Sequence, residues 1–472
     1  MASHFAEPVP ARLLMWQRVR EYAVPPSMIE NATARRAVGD WAGACAAARI
    51  DVDLDLRAVR HRHGTDLASR LRADLRRLSP DLLRWHMPRT APDGRLRPGL
   101  TLCLARYGAP GRATPRLVVR TPPAWADAGQ RMSLALWEES RDGAPAHHPH
   151  PHPDRRFRLD LHRHLWDGTR SAELAGRCGA GWDPWPSRPP QQWAAEAELL
   201  LRADGLGPRG PLTVRLGAGG RGVFELVAPD DSHAPVLRPV REALPAQAVA
   251  ALPVLPEAAA RPLPDLELLR AGLVRAERLH PLVAAALSAP VPVRPPAGGP
   301  APEPGLDASA GGTDPHRVEC LGEVHRIALR DGVLTAVDHE PAQLAREELL
   351  MALGGPGLPC LRAIDTVHLS PEALPAVRER LGHGDVTGAL AVVEGLLGPG
   401  AVLREGALRD ALEEAVEGRI DHGLFRAGLV PVHPASLVTG GPGHRPRLDR
   451  RLPWDLRRKR GARTRPRTGL PG

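Results

Sequence analysis

Lysine is almost missing from this chain: among 63 basic residues the one lysine is Lys459, near the C-terminus. A P-loop, a kinase-type phosphate site and a Schiff base each require a lysine. ATP-driven and pyridoxal-type chemistry is therefore excluded from the body of the chain. Cysteine is sparse, at five scattered residues (Cys45, Cys103, Cys178, Cys320, Cys360) with no C-x-x-C pair. An odd, dispersed set argues against a disulfide framework and fits reduced thiols. Tyrosine and phenylalanine number 2 and 4, so the cores must be built from aliphatic side chains. No apolar run approaches the roughly 18 residues of a membrane span, and the N-terminus lacks a basic segment leading into an apolar one. The expectation is a cytoplasmic chain with no membrane partner and no resident cofactor.

Proline and glycine are abundant, at 52 and 47 residues, so part of the chain must be irregular. At 472 residues there is room for two or three cores. Hydrophobic spacing predicts an α+β fold: helical hairpins with a small antiparallel sheet, then a mostly helical C-terminal domain with one β-hairpin. The divisions fall at 1–95 (helical hairpins), 96–288 (sheet plus helices), 289–315 (linker), 316–440 (hairpin and helices) and 441–472 (basic tail). Residues 290–315 carry eight prolines and five glycines in 26 positions, a composition that cannot bury a core.

Within these divisions, Ser27 and Glu30 read as a capping box. Leu67, Leu71, Leu75 and Leu78 predict a helix from Thr65, and Pro80 starts a short one ending near Trp85. Period-two alternation marks strands at Leu100–Leu104, at 116–120, at Met132–Leu136 and at Phe157, Leu159 and Leu161. A helix is expected over 190–203 behind the Trp/Pro-rich loop 181–190, and a hairpin over 212–228. Another hairpin spans 324–337, with Asp331-Gly332 suiting a type I′ turn. Helices follow from Pro341, with Asp338 as its cap, from Pro371 to Leu381, and through 385–428.

One internal echo stands out. "GDWAGACA" at 39–46 and "GDVTGALA" at 384–391 share Gly-Asp-x-x-Gly-Ala-x-Ala. Each falls where one helix turns into the next, and each is similar to the turn of tetratricopeptide-type helical hairpins. A solenoid needs about three adjacent repeats, so the pair reads as two independently placed αα-hairpins.

Chemistry is advertised most openly by "AHHPHPHPD" at 146–154. His148, His150, His152 and Asp154 are candidate zinc ligands, with His162 and His164 as further donors. The alternating prolines impose an extended chain, in which neighbouring ligands stand roughly 6 Å apart. The loop would have to fold back to close a site. "GAGGRG" at 217–222 spells G-x-G-x-x-G through Gly217, Gly219 and Gly222, but a strand pattern follows where a dinucleotide site needs a helix. "HEPAQ" at 339–343 begins like H-E-x-x-H yet ends in Gln343. "DVDLDL" at 51–56 imitates a calcium loop but has Leu56 at the glycine position and Arg62 at the twelfth. There is no G-x-S-x-G elbow.

From His444 onward eleven basic residues face only Asp449 and Asp455. Arg457, Arg458, Lys459, Arg460, Arg463 and Arg465 form its densest part, suited to a phosphate backbone or an acidic partner. The failed catalytic motifs and the helical hairpins point to a non-catalytic interaction or scaffold protein with a protein partner. A nucleic-acid protein using the tail and a metal-dependent enzyme using the 147–164 histidines are the competing classes. If the tail carries polyanion binding, deleting 444–472 abolishes salt-sensitive retention on heparin; unchanged retention would move that property to the folded body.

Overall fold

The computed structural model describes residues 10–108, 114–122, 129–138, 152–177, 191–216, 220–227, 234–242, 244–288, 317–320, 322–330, 333–369, 374–397, 402–403, 405–427 and 429–430. The proline/glycine linker 289–315, the loop 181–190, Gly217 and Gly219, the Asp331-Gly332 turn and the basic tail lie outside the described residues. The fold is α+β, in two compact units, the first from described residues up to 288 and the second from 317 onward.

The first unit begins with α1 (Ala11–Arg18), which runs on as a wider turn to Ala23. Next come α2 (Pro26–Ala37), α3 (Trp41–Ala47), β1 (Ile50–Asp53), α4 (Leu56–Arg77) and α5 (Pro80–Trp85). Strands β2 (Thr101–Arg106), β3 (Arg116–Arg120) and β4 (Met132–Trp137) complete a sheet in the order β1-β4-β3-β2. The expected antiparallel pairs are present, but β1 joins alongside β4 in parallel, Ile50 opposite Met132. One core, mostly aliphatic but including Trp16, Trp85, Tyr107, Phe157 and Trp166, runs from Met15 through the sheet to Ala286.

A second core in the same unit is formed by α7 (Gln191–Ala203), which follows the short α6 (Leu174–Arg177), and by β5 (Gly210–Leu216), β6 (Gly220–Val227) and β7 (Val236–Pro239). Strands β5 and β6 are the hairpin expected over 212–228, with Leu212 opposite Phe224. Four helices close the unit: α8 (Ala246–Ala251), α9 (Glu257–Ala260), α10 (Pro264–Arg270) and α11 (Pro281–Ser288).

The second unit has a three-stranded sheet, β8 (Arg317–Cys320), β9 (Glu323–Arg330) and β10 (Val333–Ala336), in the order β10-β9-β8. It carries α12 (Pro341–Ala352), α13 (Pro359–Leu369), α14 (Leu374–Gly382), α15 (Val386–Leu397) and α16 (Ala407–Arg426) on its own core. The 324–337 hairpin has the expected register, Val333 opposite Arg330. No helix among the described residues is long and apolar enough to cross a membrane.

Several local expectations fail for definite reasons. Ser27 is not a cap, because extended Pro25 and Pro26 already start α2 one residue earlier; proline presets that geometry without a side-chain cap. The helix expected from Thr65 does start there, directly after non-helical Gly64 at φ 85°, but a helical segment from Leu56, capped by the Asp55 carboxylate, precedes it and was not expected. Phe157, Leu159 and Leu161 do not form a strand: successive three-residue turns bind Phe157 N to Asp154 O and Leu161 N to Arg158 O. Asp338 does not cap α12. Its carboxylate instead accepts from the Arg326 backbone N–H at 2.7 Å and from its guanidinium at 2.8 Å, which holds it down at about 2. Helix α13 was not foreseen, and the helices expected through 385–428 are α15 and α16 among the described residues.

The two Gly-Asp echoes prove to be one device used twice. Gly39 and Gly384 turn the chain at φ 77° and 76°, a region glycine enters without strain. Asp40 then accepts from Gly43 N–H at 2.8 Å, and Asp385 from Gly388 N–H at 3.3 Å, capping α3 and α15. A β-carbon at Gly43 or Gly388 would collide with that carboxylate. Even the outer contact repeats: Arg35 donates to Asp40 at 3.1 Å and Arg380 to Asp385 at 2.8 Å. Replacing either aspartate with alanine is expected to cost about 1 kcal/mol, read as a lowered urea midpoint, whereas Asn should retain most of the stability.

Candidate functional site

In β8, alternation puts Val318 and Cys320 on one face, and the register places His325 and Glu323 opposite them. Cys320 thereby joins the buried face that also holds Ile327 and Ala336. His339 follows the end of β10, its N–H bonded to Ala336 O at 3.4 Å. Cys360 enters from the first turn of α13, behind Pro359. The ligand atoms of Cys320, His339 and Cys360 all lie within 4.8 Å of one another.

The cluster is enclosed: both cysteines are fully buried, and His339 is 9% exposed. Burial pushes the Cys360 thiol up to about 12, and the neighbouring Cys320 adds to the rise, so it is no nucleophile near neutral pH. Among the described residues Nε2 of His339 has no hydrogen-bond partner, nor has Nδ1 of His325. The two imidazoles are stacked, centroids 4.1 Å apart and planes 8° from parallel. What results is a soft donor set of two sulfurs and an unused nitrogen.

The sequence candidates are distributed differently. His148 and His150 lie outside the described residues. His152 is exposed with its ring edge-on to Trp137, centroids 6.0 Å apart. Asp154 accepts from Arg156 Nε at 2.9 and 3.1 Å. The structure does not bring His162 and His164 to His152; both are committed to a buried network. Nδ1 of His162 faces Arg158 O at 2.9 Å and its Nε2 lies 3.1 Å from Glu196, which also accepts from Arg177 Nε at 2.8 Å. Arg457, Arg458, Lys459, Arg460, Arg463 and Arg465 lie outside the described residues.

A surface feature completes the inventory. Helix α16 turns Leu408 and His422 inward. Its outer side bears Val416, Ile420 and Leu424, four residues apart and 54%, 56% and 37% exposed. Ten of the sixteen large apolar side chains exposed among the described residues belong to the second unit, which makes its surface the stickier one. No family model, no curated protein and no solved structure matches this chain.

Burial, together with Arg177 and His162, pushes His164 down to about 2, so the fold holds it neutral. An unfolded imidazole takes up a proton near 6.5. Below that pH the unfolded chain binds the extra proton, and stability falls. Between pH 6.5 and 5 the loss should reach about 2 kcal/mol, seen as a falling urea midpoint that His164→Gln flattens.

Proposed function

We propose that this chain is a non-catalytic interaction protein whose second unit docks an apolar surface of another protein on the outer side of α16. The supporting observation is the Val416–Ile420–Leu424 stripe. Residues four apart stack along one helix face, so the three side chains present a continuous ridge that a groove or a second helix can cover.

Covering what remains exposed of these three side chains is worth roughly 2–4 kcal/mol before association costs, which suits a weak, reversible partnership. The chemistry elsewhere agrees with a binding role. The Cys360 thiol is held protonated, and the buried histidines of the first unit are tied to carboxylate, guanidinium or carbonyl groups.

Val416→Glu with Ile420→Glu should remove the partner recovered from native extract while leaving the far-ultraviolet spectrum unchanged. A photo-crosslinking residue at 420 should capture that same partner covalently. Full recovery by the double variant would overturn the reading.

A further inference from the structure

We propose that Cys320, His339 and Cys360 hold a Zn2+ ion that staples the second unit. The inference is independent of what covers α16. Three observations carry it. First, the donor atoms converge within 4.8 Å although they come from the end of β8, the exit of β10 and the start of α13. A modest inward movement brings thiolates to about 2.3 Å and an imidazole to about 2.0 Å from a common centre.

Second, His339 is nine-tenths buried with Nε2 unpartnered. A buried nitrogen without a partner costs about 1–3 kcal/mol, and an ion in the cluster would remove that cost. A Cys320–Cys360 disulfide would leave it in place. Third, Cys360 stands in the first turn of an eleven-residue helix, where free N–H groups and the helix dipole offset part of the cost of burying a thiolate once a metal ion has displaced its proton.

Two sulfurs and one imidazole are a soft set that suits Zn2+ over Mg2+ or Ca2+. On binding, Zn2+ takes the place of the thiol protons, which pass to solvent. Three protein donors leave the fourth tetrahedral position to a water molecule, as in zinc sites that are open to substrate, but here the enclosure of the cluster shuts that position off from outside molecules. The stacked His325 fixes the plane of the His339 ring, so His325 is a positioning residue. Because the three donors lie on three elements, the ion ties together the sheet and α13, and part of its binding energy is folding energy.

The full-length chain, purified with Zn2+ and then dialysed, should contain about one zinc per chain by elemental analysis. Loaded with Co2+ instead, it should show near-ultraviolet thiolate-to-cobalt charge transfer. Cys320→Ser and Cys360→Ser should each lose that band, and His339→Ala should weaken Co2+ binding more than about tenfold. His152→Ala, in the histidine loop, should keep the band and the stoichiometry. Three results would each overturn the proposal: no thiolate band in the unmodified chain, zinc content unaffected by both cysteine variants, or Cys320 and Cys360 joined by a disulfide in the zinc-supplemented protein.

Discussion

The first unit is organised by a helix that has no solvent-facing side. All six residues of α5, from Pro80 to Trp85, are buried, including Asp81 and Arg84. Burying charge without partners costs several kcal/mol per ion, and most of the polar atoms here have a fixed counterpart, Arg84 Nη2 being an exception among the described residues. Asp81 meets Nε2 of His280 at 2.8 Å, Trp85 donates to Asp265 at 2.7 Å, and Arg84 donates to Ala23 O at 3.0 Å and Gln130 O at 2.9 Å. Burial alone would raise the Asp81 carboxyl. The hydrogen bond from His280, aided by Arg36 and Ser79, carries it below the usual range instead. The aliphatic core supplies bulk attraction, whereas these contacts decide which segments meet around the helix.

The same residue types serve a different purpose in the second unit. Its core is small and includes two thiols with a buried imidazole beside them, in addition to the Arg380–Asp385 pair. A unit of this size gains less from burial than the first, so a cross-link among β8, β10 and α13 matters more to it. Its outer surface, by contrast, leaves apolar side chains uncovered on α16. Rigidity at the centre and an apolar ridge at the rim belong together, since a ridge held on a firm support loses less entropy when it is covered.

What could be read in the sequence is what local chemistry determines. The Gly-Asp corners were legible because a left-handed glycine, a capping aspartate and a second glycine are contiguous requirements. The helix Pro80–Trp85 and the hairpin around 331–332 were legible for the same reason. The Cys320–His339–Cys360 cluster was not, because its members are separated by 19 and 21 positions and meet only through strand register and a helix that was not foreseen. One signal was present: Cys360 directly follows the proline that opens α13, and His339 stands two residues before the proline that opens α12. The histidine loop drew attention by composition alone. Alternation at 157–161 misled because Arg158 and Asp160, the polar members of the pattern, are themselves inside, bound to each other at 2.9 Å.

The partners of α5 lie far along the chain, with His280 standing 199 residues after Asp81. A ribosome delivers residues in order, so the carboxylate of Asp81 emerges long before the imidazole it meets. Until His280 has left the exit tunnel, the central carboxylate of this unit has only Ser79 and Arg36 beside it. A version ending before residue 280 would lack both that imidazole and the α11 side chains Val283 and Ala286 of the same core.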